Sequence, residues 1–261
     1  MVHRRNCLSF IFIVSLLSFN LAAAGGNTSI QSFSKAKRLL HEQVYQDHRT
    51  TLYCNASYNS DKNVQLPQGF ETTKHVKRSR RIEWEHVVPA ENFGRNYVEW
   101  REGHEQCVSR KGKAFRGRKC AEKILPEYRL MQADMHNLFP AIGAVNALRS
   151  NYNFTMLPQE PSDFGSCDMK IENRKAEPPA EARGRIARTY LYMAETYPQL
   201  SLSKKTQQLM QAWHKTYPVA AWECDRAKAI ETLQGNANVV VANACALRHN
   251  TKENSERIAT R

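Results

Sequence analysis

A histidine that directly follows a carboxylate, Glu85–His86, and a later set of amides with one arginine, Asn137, Asn146, Arg149 and Asn151, have the types that phosphodiester hydrolysis requires. Without a covalent intermediate, such a reaction needs a base to deprotonate water, a cation to carry charge developing on the phosphate, and donors that hold the scissile group in line. His86 is the candidate base, because neutral imidazole is available near pH 7 with an unperturbed pKa of about 6.5. Glu85 offers the hard oxygen that magnesium prefers. Asn137 stands just before Pro140, where its side-chain oxygen could face the same ion, and a helix N-terminus there would favour a bound phosphate. Taken singly, each residue also has a plainer role: Glu85 as a solvated charge, His86 as a buried histidine, Asn137 as a helix cap, Arg149 as a surface cation.

These side chains need elements to hold them. Residues 81–88 alternate Ile82, Trp84 and His86 against Glu83, Glu85 and Val87, the period of a strand that Pro89 ends. Neighbours on a regular strand face opposite ways, so Glu85 and His86 can share a site only if the strand bulges or ends there. Pro140 suits a first helical residue, and Ile142, Val145 and Leu148 mark one face, which predicts a helix over 140–149. Between them, residues 101–123 form a long basic loop, with Arg116, Arg118 and Lys119, pinned by Cys107 and Cys120.

The pattern elsewhere predicts a helix over 28–48 capped by Thr28 or Ser29, a short strand over 51–58, helices over 180–197, 203–215 and 220–233, and a polar tail over 248–261 that frays. The fold class is α+β: a mainly helical single domain over 25–247 with a short antiparallel sheet.

Residues 1–24 read as a secretory signal: Arg4 and Arg5, an apolar stretch to about Leu21, then Ala22, Ala23 and Ala24. That stretch is too short and too interrupted by Ser and Asn to span a membrane. Export to a periplasm or the exterior implies an oxidising compartment, and the six cysteines outside the signal are even in number. Cys107–Cys120 and Cys224–Cys245 close short loops, which leaves Cys54 for Cys167. A zinc site is disfavoured because no pair has C-x-x-C spacing. The net charge of +13, with only Arg4 and Arg5 in the signal, calls for a polyanion such as nucleic acid. Arg183, Arg185 and Arg188 read either as further phosphate contacts or as a solvated helix face.

The blocks WEHVVPA, DMHNL, VN, RSN, AEPPAEARGRIARTYLYM and YPVAAWECDRA closely resemble the bacterial endonuclease I family of periplasmic or secreted nonspecific nucleases, from about Arg38 to Ala246. That resemblance implies an embedded ββα-metal (His-Me finger) motif with His86 as general base, and Glu85 and Asn137 holding one Mg2+, a site that Mn2+ or Ca2+ could also fill. It further implies an arginine before the cysteine closing the basic loop as phosphate stabiliser. Arg118 matches best, though this loop is longer than in compact members and Arg116 lies two residues away. The expected activity is hydrolysis of double- and single-stranded DNA, and of RNA, to 5′-phosphorylated products by a monomer with no membrane attachment. Arg95, Arg116, Lys119 and Arg149 are expected to touch the nucleic acid. Two other readings stay open: a mainly RNA-directed ribonuclease, and a nucleic-acid-binding protein without catalysis.

Overall fold

A run of five residues buried on both faces, Leu138–Ile142, organises the molecule. The computed structural model describes residues 25–259, and the expected signal, 1–24, lies outside them. In chain order its elements are α1 (Phe33–Leu39), β1 (Ile82–His86), α2 (Ala90–Gly94), α3 (Val98–Arg101), α4 (Arg118–Ile124), α5 (Pro126–Gln132) and β2 (Leu138–Ile142). There follow α6 (Gly143–Arg149), β3 (Asn153–Phe154), β4 (Lys170–Glu172), β5 (Lys175–Glu177), α7 (Ala180–Thr196), α8 (Lys204–Thr216), α9 (Ala221–Gln234) and α10 (Val239–Ala259).

β1 and β2 pair antiparallel, and a second small sheet has the order β3-β5-β4. The β1–β2 ladder separates two apolar clusters. On one side Phe139 and Ala141 join Val145, Phe154, Ile186 and Tyr190. On the other Leu138 joins Ala36, Leu40, Tyr45 and Ile230, beneath α1 and α9. Burial on both faces explains why LFPAI carries no polar alternation.

Here the structure corrects the helix expected over 140–149. Pro140 lies in β2 opposite Trp84, and α6 begins only at Gly143. The bonds Gly143 N–H to Arg81 O and Val87 N–H to Asn137 O mark hydrogen-bonded pairs at alternate positions. Pro140 therefore falls in a non-bonded pair, where the N–H it lacks would point away from β1. Its carbonyl accepts from Leu52 N–H at 2.8 Å. The switch from strand to helix is abrupt because Gly143 sits against the preceding turn: a Cβ there would lie 2.5 Å from Arg78 O.

Other differences are local. The first helix is capped by Ser32, which accepts from Lys35 N–H, and passes at Leu40 into a π turn. Residues 51–58 make a turn rather than a strand, closed by Thr51 N–H to Ala56 O. The basic loop begins at the last residue of α3, contains a bridge between Val108 and Ala114, and ends within α4. The chain remains helical in α10 as far as Ala259, within the stretch expected to fray. The three helices expected after residue 180 are present, and Cys54–Cys167, Cys107–Cys120 and Cys224–Cys245 are joined.

Candidate active site

β1 keeps its register to its last pairs, Glu85 opposite Phe139 and His86 opposite Leu138, with no inserted residue. Glu83 and Glu85 face α6, whereas Trp84 and His86 face α1 and the turn after it, where Tyr45 and Phe33 meet their rings. Since the strand stops at His86, both faces reach the same opening. A pocket of about 430 Å³ there is lined by Glu85 and His86 together with Arg118 and Asn146. Hollows of about 710 and 730 Å³ lie elsewhere, but only the smaller pocket gathers these four residues.

His86 is positioned through one nitrogen. Its Nε2 lies 2.8 Å from the Gln132 carbonyl, an acceptor only, so Nε2 carries the proton and Nδ1 holds the lone pair. Burial, then the positive charge of Arg118, pushes the imidazole pKa down to about 3. The ring thus stays neutral across the physiological range and can accept a proton.

Glu85 is held with equal definition. Its Oε1 accepts from Tyr53 Oη–H at 2.6 Å and from Arg149 Nη1 at 2.7 Å. Its Oε2 makes no hydrogen bond among the described residues. Burial raises the carboxyl's pKa, against the opposing pull of Arg149 and Tyr53. On α6, Asn146 donates Nδ2–H to Glu83 Oε2 at 2.8 Å. Because a carboxylate only accepts, the amide nitrogen must face Glu83 and the carbonyl oxygen is left for the pocket. Burial pushes Glu83 upward, but bonds from Arg78 and Asn146 outweigh it and hold its carboxyl below the ordinary value.

Asn137 is placed differently. It is fully buried, its Oδ1 accepts from Val88 N–H at 2.8 Å and its Nδ2 donates to Val88 O at 3.0 Å. Both ends of the amide are consumed in holding the chain after β1. Arg149 is 0% exposed and has no surface from which to reach a phosphate. Besides Glu85, it donates to His86 O, Val87 O and Tyr190 Oη.

Among the remaining expected contacts, Arg118 lines the pocket, while Arg116 lines a separate hollow and donates to Arg101 O. Lys119 is exposed beside Arg118 on α4. Arg95 is exposed and pairs with Glu91, itself on the pocket wall. The Arg183 to Arg188 run follows neither reading. Arg188 makes a buried two-pronged pair with Glu223, Arg183 bonds Glu177 and Tyr217, and Arg185 bonds Leu52 O, so all three tie elements together. Tyr53 was not legible as a site residue, since no periodic signal marks it. Glu83 could have been found, because it shares a strand face with Glu85.

A pH prediction follows from burial. His136, like His86, is buried, and its pKa is pushed down to about 4. In the unfolded chain each would protonate near 6.5. Between these values the unfolded state binds more protons, so stability is lost as pH falls below 6.5. Urea unfolding is expected to show a decline of up to about 1.4 kcal/mol per pH unit for each histidine between pH 6 and 4.5, with the raised carboxyl of Glu85 acting in the opposite sense. A flat profile over that range would show that these rings are not buried neutral.

The family model for Endonuclease I matches residues 31–245. An extracellular deoxyribonuclease of Aeromonas hydrophila is 40% identical over 238 residues, covering 88% of this chain and 98% of that protein. A periplasmic deoxyribonuclease of the same organism is 39% identical, covering 82% and 87%. Endonuclease-1 of Buchnera aphidicola subsp. Acyrthosiphon pisum is 34% identical, covering 93% of each chain.

Proposed function

The chain belongs to the endonuclease I family, and from that membership we propose that it is an exported, Mg2+-dependent nuclease that hydrolyses DNA, and RNA, with little regard for base sequence. The observation that carries the reading is the meeting, in one pocket, of a neutral histidine with a fixed tautomer, a carboxylate with one unbonded oxygen, an amide oxygen and an exposed arginine.

The donor set fits a hard divalent cation. Glu85 Oε2 and Asn146 Oδ1 are both oxygens, both unbonded among the described residues, and both belong to residues lining the pocket. No group of three or more His, Cys, Asp or Glu that could hold a metal exists among the described residues. A site with few protein ligands suits Mg2+, which keeps several of its waters. Asn137, whose amide is spent on Val88, is a poorer ligand than Asn146, so we assign the second position to Asn146. Bound there, the cation would neutralise charge on the phosphate and on the departing 3′ oxygen.

The chain's own groups do the rest. His86 Nδ1 takes a proton from water, and the hydroxide attacks phosphorus in line and displaces the 3′ oxygen, leaving the phosphate on the 5′ oxygen of the downstream fragment. Arg118 offers donors to a phosphate oxygen, and its charge adds to burial in keeping His86 unprotonated. Lack of base specificity follows if contacts go to the phosphate backbone. Export is supported by the extracellular and periplasmic relatives and by the signal-like N-terminus. No helix among the described residues is long and apolar enough to cross a membrane.

The test is digestion of plasmid, single-stranded DNA and RNA by the oxidised protein over a magnesium titration. All three are expected to be cut, with activity lost in excess EDTA. Asn146→Ala should raise the magnesium needed for half activity by about tenfold or more, on the scale seen when metal sites lose supporting ligands. Asn137→Ala should leave that midpoint in place and lower thermal stability instead. An uncut plasmid in excess magnesium would refute the nuclease assignment, and full activity in chelator would refute the metal.

A further inference from the structure

Beyond the cleavage pocket lies a groove of about 730 Å³, formed where the tip of the β4–β5 hairpin and β3 meet the start of α8. Its charged lining is Arg174, Lys175 and Lys205, with Asn153, Thr155 and Gln208 among the neutral groups and no acidic side chain. All three cations are exposed, and none makes an ion pair or side-chain hydrogen bond among the described residues. Glu172 stands opposite Lys175 in the ladder but forms no ion pair with it. The contrast with Arg149, Arg183 and Arg188 matters here, because those cations are consumed by internal carboxylates.

The groove is joined to the cleavage pocket by a short polar path. Asn151 lines the pocket and bonds Glu91 on its wall. Two residues on, Asn153 lines the groove and accepts from Asn92, the neighbour of Glu91. Two residues span at most about 7 Å of chain, the axial rise of about two base pairs of B-form DNA. The rims of the pocket and the groove therefore adjoin, so DNA seated at His86 can continue along the surface to these unpaired cations.

We propose that this groove is a second, non-catalytic contact for the phosphate backbone of the substrate DNA, with Arg174, Lys175 and Lys205 as its cationic contacts. The proposal rests on the nuclease reading above. It assigns affinity for long substrates, rather than chemistry, to a surface away from His86.

Arg174 supplies a clean test. It has φ +59° at the hairpin tip, following Asn173 at +49°, the conformation in which a two-residue turn favours Asn-Gly. Arg174→Gly therefore removes the cation while suiting the backbone better, and the melting temperature should hold or rise. Lys205 is exposed, so Lys205→Gln should be equally harmless to folding.

In a cleavage-silenced His86→Ala background, binding of a 30-base-pair duplex would be followed by anisotropy as salt is raised. Loss of each phosphate contact should make the slope of log Kobs against log salt shallower by about 0.9, so by roughly 1.8 for Arg174→Gly with Lys205→Gln. With His86 restored, the same pair of substitutions should raise KM for plasmid DNA severalfold. If the parent cuts plasmid and the double variant matches it in salt slope and KM, the groove is not a contact. If the parent itself fails to cut, the nuclease reading falls first and this inference falls with it.

Discussion

His86→Ala should lower the rate of plasmid cleavage about a thousandfold or more while duplex binding changes little. A positioned general base contributes roughly 10² to 10⁴ in rate, and in the proposed mechanism the imidazole would also order the attacking water. Binding should survive because His86 is neutral, with its pKa held near 3, and so offers the phosphates no charge. The substitution does disturb packing: it removes a ring 4.8 Å from Phe33 and leaves the Gln132 carbonyl without its donor. Loss of that bond costs about 1–3 kcal/mol, so a melting curve must accompany the kinetics. Added imidazole separates the two effects, since it can occupy the vacated space and restore a base. Partial rescue by imidazole, rising with pH through its own titration, is the expected result. Turnover near the parent rate in His86→Ala would remove His86 from the mechanism.

How much of this was legible beforehand depended on whether a residue's role is set by its own strand or by a distant segment. The period-two pattern of residues 81–88 located β1 within one or two residues and placed Glu85 and His86 together, because side-chain alternation is a property of the strand itself. The long helices after residue 180 were equally clear, since apolar spacing and flanking prolines act locally. Asn137 and Asn146 could not be told apart that way. Both are amides in a run rich in apolar residues, and only the pairing of β2 with β1 turns Asn137 inward to Val88 and leaves Asn146 on α6 facing Glu83. Pro140 misled for a related reason: the same fixed φ suits a helix start and an unpaired strand position, and the partner strand decides between them.

The arginines show the same limit in terms of charge. Net positive charge pointed to an anionic partner, yet it gave no sign that Arg149, Arg188 and Arg226 are buried and bonded to internal acceptors. Excess charge counts cations without saying which of them face solvent. In this chain the informative quantity is the set left over once internal partners are assigned, and Arg118 at the pocket and Arg174, Lys175 and Lys205 at the neighbouring groove are among that set.

Arg149→Met is expected to be the most damaging substitution outside the reacting groups. Arg149 is 0% exposed, and its guanidinium reaches Glu85 Oε1 at 2.7 Å, His86 O at 2.9 Å and Val87 O at 2.7 Å while packing 4.4 Å over the Phe154 ring. Its methionine replacement fills similar volume but strands the Glu85 charge and two carbonyls in the interior. Breaking a buried pair from one side costs about 3–5 kcal/mol, chiefly because the remaining charge is uncompensated. Glu85 can escape that penalty by taking up a proton, and a protonated carboxyl is a poor ligand for a divalent cation. Two readouts should therefore move together: the free energy of urea unfolding falls by about 3–5 kcal/mol, and the magnesium needed to protect the protein against unfolding rises. Adding Glu85→Gln to Arg149→Met removes the stranded charge, so part of the lost stability should return while cleavage does not. Such a split would distinguish a residue that holds the carboxylate in place from one that merely fills the core. If Arg149→Met unfolds at the parent's urea midpoint and keeps the parent's magnesium response, the guanidinium does not position Glu85.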